Sequence, residues 1–277
     1  MKFRLLLASL FVASVAHAEV PEVRIARQFS MGYLQFNVVE HEKLIQKHAA
    51  KLGIPEVKVS SYRFNGPAAM NDALLSDTVD IVGGSPHGMF TLWAKTRNTK
   101  LEVRAIGALV TLPFHITSND PSIKTIADLG KCKKLPVPSL RVSSPAVLVQ
   151  MAAAKQFGIK EYAKYDSATV TMSPADATVA LLSGAGEVNC TVALPPYKQQ
   201  QLEKPNIHIV ANSFDLMGGP NTYTLSYTSA KFRDRDPKLF QAVYNALNEA
   251  TDRLNQDILA GARYWVEDSE SKLSPDF

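Results

Sequence analysis

The 277-residue chain is 46% hydrophobic and 20% charged, the balance of an ordinary globular protein rather than of a disordered segment. Its formal charge of +4, half of it from Lys2 and Arg4, is too small for nucleic-acid binding to be the default. Two cysteines and six scattered histidines give no metal-ligand spacing, so neither a metal nor a cofactor is expected.

The first eighteen residues read as a secretory signal peptide. Lys2 and Arg4 form a positive start, Leu5 to Val15 is apolar, and Ala16-His17-Ala18 fits the small-x-small cleavage rule. The run is shorter than the roughly 20 apolar residues of a membrane-spanning helix, and no Cys follows it for lipid attachment. Cleavage before Glu19 and release as a soluble periplasmic monomer are expected. The mature chain has the size at which one core usually splits into two.

An internal near-repeat then organises the chain. "AAKLGI" (Ala49 to Ile54) returns as "AAKQFGI" (Ala153 to Ile159), and Pro67-Ala68 followed by "ALLS" returns as Pro174-Ala175 followed by "ALLS". Val79 to Val82 returns as Val188 to Val192. In the first copy Val23 to Ala26 reads as a strand and Val38 to Leu52 as a helix closed by Gly53. Val57 to Ser60 is the next strand and Pro67 to Leu75 the next helix, with Pro at its first turn. In the second copy Leu135 to Pro138, Ala146 to Phe157, Ala168 to Met172 and Pro174 to Leu182 play those parts. Strands alternating with helices at this spacing predict an α/β fold of two similar lobes, each a mostly parallel sheet flanked by helices.

Val103 to Thr117 and Asn221 to Thr228 read as extended chain and suit a two-strand hinge. The first lobe then comprises 19–110 plus 224–277, and the second 111–223. The first lobe resumes in a helix from Pro237 to about Ala260, capped by Asp236, with Phe240, Val243, Leu247, Ala250, Leu254 and Ile258 along its apolar face. Cys132 and Cys190 leave two readings open: a disulfide, which an oxidising compartment permits, or two buried thiols.

In such sheets a ligand sits beyond the carboxyl ends of the strands. Those loops supply Gln28 to Gln35, Arg63 to Gly66, Gly83 to His87, Ser139 to Ser144, Ser173 and Leu194 to Tyr197, while Thr111 and Asn221 come from the hinge. They are hydroxyls, amides, exposed backbone and a few aromatics, a lining that binds small polar molecules by hydrogen bonds. Arg141, in a loop just before a helix N-terminus, suggests an anionic group on the ligand. His87 and His115 have no carboxylate or nucleophile at a diagnostic spacing, and Asp166 and Asp215 stand only at the margins. The alternative, a dehydratase-like enzyme on this scaffold, therefore lacks an acid–base pair, and no catalytic residue is expected. A sensor docking to a receptor is a third reading.

The segments "VRIAR", "SMGYLQF", "ALLSDTVDIVGGSP", "IKTIADL", "LPVP" and "LLSGAGEVNCTVALPPY" resemble the nitrate/sulfonate/taurine-type substrate-binding proteins of ABC importers, relatives of the thiamine-pyrimidine proteins. The resemblance implies a type II periplasmic-binding-protein fold, cleft closure on the solute, and transient docking to a membrane permease driven by a cytoplasmic ATPase. Carried onto this sequence, the family's ligand-contacting loops fall on Ser30, Met31, Gln35, Asn65, Gly84, Ser85, Ser139, Ser144, Pro196 and Tyr197. Where many members carry an acidic residue this chain reads Leu194-Pro195-Pro196, so the solute itself is not transferable. The cysteine-rich motif of the yeast pyrimidine-forming branch is missing. The end at Phe277, earlier than in most relatives, leads to the expectation that a terminal helix of the first lobe is lacking.

Overall fold

The computed structural model describes residues 20–184 and 186–275, so the export signal expected at 1–18 lies outside the described residues. The first lobe opens with β1 (Glu22–Arg27), a 3-10 turn (Met31–Tyr33), α1 (Leu34–His41) and α2 (Leu44–Lys51). It continues through β2 (Lys58–Arg63), α3 (Pro67–Leu75), β3 (Ile81–Gly84), α4 (Pro86–Thr96) and β4 (Val103–Thr111). The second lobe holds β5 (His115–Ser118), β6 (Leu135–Val137), α5 (Ser144–Phe157), β7 (Thr169–Thr171), α6 (Pro174–Ser183), β8 (Cys190–Ala193), α7 (Tyr197–Leu202), β9 (His208–Asn212) and α8 (Ser213–Met217). The chain then returns as β10 (Thr222–Ser229), α9 (Ala230–Arg235), α10 (Pro237–Gln256) and α11 (Ile258–Asp268).

The first sheet has the order β2-β1-β3-β10-β4; β1 runs parallel to β2 and β3, and β10 runs against β3 and β4. In the second lobe β6 pairs parallel with β7, and β5 lies antiparallel between β8 and β9. A parallel bridge from Lys134 to Val188 joins the two pieces, giving the order β7-β6-β8-β5-β9. The repeat seen in the sequence is thus a repeat of topology. In each lobe four strands run one way and one, β10 or β5, is reversed, the mostly parallel arrangement expected. The chain crosses between the lobes twice, once between β4 and β5 and once between β9 and β10.

Helices cover both faces of the first sheet. On one side Phe36, Leu44, Ile45, Val243, Leu247 and Trp265 pack against Val23 and Ile25. On the other, Met70, Leu74, Met89 and Leu92 pack against Ala26, Val82 and Tyr227. The second lobe has its own core of Phe114, Ile116, Leu135, Val137, Leu148, Val149 and Tyr165. Removing such apolar surface from water drives both assemblies, at about 25 cal/mol per Å².

Two of the expected helices are each divided in two. The helix expected over Val38 to Leu52 is two, α1 and α2, broken where Lys43 takes φ 53°. The turn lets both Val38–Val39 and Leu44–Ile45 reach the core. The helix from Pro237 ends at Gln256, because Asp257 caps a new helix by accepting from the N–H groups of Leu259 and Ala260. Ile258, expected on the apolar stripe, is consequently 54% exposed. That new helix, α11, packs against α1 and α10 and buries Trp265.

Cys132 and Cys190 form a disulfide across 58 residues of sequence, tying the loop before β6 to the start of β8. Closing a loop of this size restricts the unfolded chain by about 4 kcal/mol. The double substitution Cys132→Ala with Cys190→Ala is expected to lower unfolding free energy in urea by that order. An unchanged midpoint and slope would contradict it.

Candidate functional site

The loops after β1, β2, β6 and β7 face one another across the gap between the lobes. They enclose a pocket of about 390 Å³ lined by Gln28, Phe29, Phe64, Asn65, the first turn of α6 (Ser173 to Asp176), Tyr197, Gln200, Trp265, Ser269 and Ser271. A second hollow of about 660 Å³ shares Phe64, Asn65, Ser173 and Asp176 and adds Arg63, Gly66, Ala68, Ala69, Pro138 and Ser139. Together they form one cleft with walls from both lobes.

Two helix N-termini point into it, those of α3 and α6, which are counterparts in the repeat. Each begins with Pro, whose lack of an N–H is harmless where the helix has no partner for it. The dipoles of such ends favour negative charge, each by about 0.3–1 kcal/mol. Arg63 adds a guanidinium lying 5.5 Å over the Phe29 ring. Gln28 is 8% exposed; its Oε1 accepts from Tyr33 Oη at 2.7 Å, but its Nε2 has no partner. A buried, unpaired donor costs about 1–3 kcal/mol, and an acceptor on a bound molecule would offset this. Asp176 brings the opposite charge to the rim, accepting from Ser173 Oγ at 2.6 Å.

Contacts between the lobes span the cleft. Tyr197 Oη donates to the Phe29 carbonyl at 2.8 Å, and burial, then the Asp176 charge, pushes that phenol up to about 12. Ser85 Oγ donates to the Val142 carbonyl at 3.1 Å, and His87 Nδ1 lies 3.1 Å from Ser144 Oγ. The tightest point is Gly66, where a Cβ would fall 2.3 Å from the Pro138 carbonyl oxygen.

Of the residues singled out from sequence, Gln28, Phe29, Arg63, Phe64, Asn65, Gly66, Ser139, Ser173 and Tyr197 line the cleft. Met31 and Pro196 line a smaller space of about 20 Å³ beside Trp265. Ser30 caps the turn at Gly32, and Gln35 Nε2 donates to the Leu109 carbonyl at 2.6 Å. Gly84 lies against the Tyr227 ring, while Ser85 and Ser144 make the contacts across the lobes already described. Thr111 is exposed and paired with Thr222 in the sheet, and Asn221 Nδ2 donates to the Gly219 carbonyl within its own turn. Arg141, at φ 62°, lines a separate hollow of about 60 Å³ with Gln150 and Asp166. His115 is buried in β5 with Nδ1 unpartnered, its pKa lowered by burial and by Lys198. Among the described residues no group of three His, Cys, Asp or Glu could hold a metal ion, and no helix is long and apolar enough to cross a membrane.

Sequence reading missed Asp176, Gln200, Trp265, Ser269 and Ser271. The last three come with α11, which Asp268 secures. Its carboxylate meets Arg27 at 3.1 Å, His41 Nε2 at 2.8 Å, Asn37 Nδ2, and Arg63 at 3.4 Å. Arg27, almost wholly buried, also pairs with Glu40 at 3.1 Å. Burial would raise the Asp268 carboxyl, but hydrogen bonds from His41 and Asn37 and the Arg27 charge outweigh it and hold the pKa below its ordinary value.

The profile of the NMT1-like family matches residues 16–263. No curated protein sequence gives a match. Among solved structures, the alkanesulfonate-binding protein SsuA from Xanthomonas axonopodis pv. citri, bound to MOPS, is 20% identical with a TM-score of 0.71, covering 94% of this chain and 82% of that one. The periplasmic nitrate-binding protein NrtA from Synechocystis PCC 6803 is 15% identical with a TM-score of 0.66, covering 90% and 66%. The Candida albicans CA3427 gene product, described as having the generic periplasmic binding protein fold, is 12% identical with a TM-score of 0.69, covering 92% and 78%. At such identities the likeness establishes the fold, which is that of the periplasmic binding proteins.

Asp268→Asn is expected to destabilise the protein by about 3 kcal/mol, since removing one partner strands a buried Arg27 with Glu40 alone. The Asp268 contribution is present above the ordinary carboxylate pKa and is lost as pH falls through the lowered folded value. Denaturant midpoints at pH 7 and pH 3 measure both; equal gaps between wild type and variant at the two pH values would contradict the assignment.

Proposed function

The chain belongs to the NMT1-like family, and from that premise we propose that it is the exported solute-binding component of an ABC importer. It captures a small polar, anionic solute of the sulfonate or nitrate kind between its lobes and delivers it to a permease in the cytoplasmic membrane. The observation that carries this reading is the convergence of the α3 and α6 N-termini on one cleft that also holds Arg63 and the unpaired Gln28 amide. An oxyanion there takes hydrogen bonds from Gln28, Asn65 and Ser139 and charge from Arg63 and the helix ends. Phe29, Phe64 and Trp265 hold an apolar remainder, and Tyr197 latches the lobes.

The lobes in this proposal are 19–110 with 224–277 and 111–223, hinged where the chain crosses between the sheets. Capture is a population shift: the solute touches both walls only when the cleft is shut, so it favours the closed form by its differential affinity. A disulfide between Cys132 and Cys190 suits a compartment outside the reducing cytoplasm, which supports export and removal of 1–18. The protein acts as a monomer with the permease as a transient partner. Asp166 accepts from Gln150, and among the described residues His87 has no carboxylate partner, while Asp215 acts on His115 only through its charge and leaves Nδ1 unpartnered, so no acid–base pair favours an enzymatic reading.

Calorimetric titration with methanesulfonate, taurine, nitrate and benzoate tests the proposal. At least one is expected to bind below the millimolar range. Gln28→Glu keeps the acceptor that Tyr33 uses but replaces the free donor with a carboxylate oxygen, and should weaken that anion by at least about tenfold, in line with about 1.5–3 kcal/mol for a charged hydrogen bond. Failure of the whole panel, or equal binding by the variant, contradicts the reading.

A further inference from the structure

His87 stands where the lobes meet, and its surroundings suit only one of its charge states. It occupies the first turn of α4, directly after Pro86, with Ser85 as N-cap. Ser144, whose Oγ lies 3.1 Å from His87 Nδ1, is the first residue of α5 in the other lobe, which Ser143 caps. The imidazole therefore sits between two helix N-termini, one from each lobe, and the partial positive charge of both opposes an imidazolium. It is also half-buried, and burial lowers its pKa with no charged neighbour contributing.

The charged groups on the elements around it are engaged or remote. On α3, Asp72 is exposed; on α4, Lys95 lies in the last turn, away from His87. On β4, Arg104 pairs with Glu102 at 3.0 Å. Before α5, Arg141 lines the separate hollow beside Asp166, and on α5 Lys155 donates to the Asp215 carbonyl at 3.2 Å. Strand β10, also packed on α4, carries no charged residue. Among the described residues nothing nearby compensates a proton on His87 while the cleft is shut.

We propose that closure of this cleft is coupled to a proton on His87, the neutral ring belonging to the closed form and the imidazolium favouring the open one. The inference rests on the reading of the cleft as one that opens and shuts. In the open form α5 withdraws, water reaches the ring, and its pKa returns towards about 6.5. A group whose pKa is lower in the closed form opposes closure as pH falls below the open value. The closed population then declines by up to about tenfold per pH unit until the lower value is passed. Above roughly pH 7 the coupling is silent. A solute would thus be held at neutral pH and released more readily in acid.

The experiment uses the full mature chain, which has no free cysteine among its described residues, with spin labels on Lys51→Cys and Lys160→Cys, one in each lobe. Interlobe distances at pH 7.5 and pH 5.0 should show the closed population falling several-fold. In His87→Gln, which retains an acceptor for Ser144, the distribution should not change with pH. In parallel, the His87 ring is titrated by NMR in wild type and in Gly66→Val, whose side chain would meet the Pro138 carbonyl and wedge the lobes apart. The wild-type pKa should lie below 6.5 and that of the wedged variant near it, as for a free ring. Equal pKa values in the two proteins, or a pH response that survives His87→Gln, overturns the proposal. If instead the lobes respond to pH as expected but no anion binds, the capture reading fails and this coupling stands.

Discussion

The contact on which the closed molecule depends is the approach of the Gly66 backbone to the Pro138 carbonyl, a space with no room for a Cβ. Gly66 precedes α3 and Pro138 follows β6, so the contact joins the strand ends of the two sheets. Because these surfaces touch, the Tyr197–Phe29, Ser85–Val142 and His87–Ser144 contacts all fall within hydrogen-bonding distance. None of these bonds is strong alone, since an exchanged hydrogen bond nets about 1 kcal/mol. A set of such weak contacts is what the proposed closure, biased by a solute or by a proton, requires.

The walls differ in how they are held. On the second lobe, α6 presents its own N-terminus, capped by Ser173 and stiffened by Pro174. On the first lobe, one wall comes from α11, far along the chain, and is fixed by the ionic cluster of Asp268, Arg27, Glu40, His41 and Arg63. That cluster orders Trp265, Ser269 and Ser271 beside Gln28 without putting a charge of its own into the smaller pocket. It also restrains Arg63, which meets Asp268 on one side and the cleft on the other.

Much of the architecture was legible because it is local. Pro67 and Pro174 start their helices where expected, and Gly53 at φ 84° follows α2 as a helix-ending glycine should. The repeat gave the strand order its symmetry, and the two extended stretches became β4, β5 and β10. What escaped was orientation. Arg141 lies in the right loop, but its backbone turns the side chain out to a different hollow. Asp176 lies inside the helix expected from Pro174, where nothing in the sequence marks it out, and only the facing lobe makes it part of a cleft. The break at Asp257 hid α11, because Ile258 continues the apolar period across a residue that caps a new helix.

The account stands or falls on where a solute sits. A crystal structure of the protein soaked with the sulfonate that binds best would decide it. The account predicts the sulfonate group between Gln28, Arg63 and the first turns of α3 and α6, with both lobes in contact. A sulfonate bound on the outside of either lobe, or in the hollow beside Arg141, with this cleft holding only water, would contradict it.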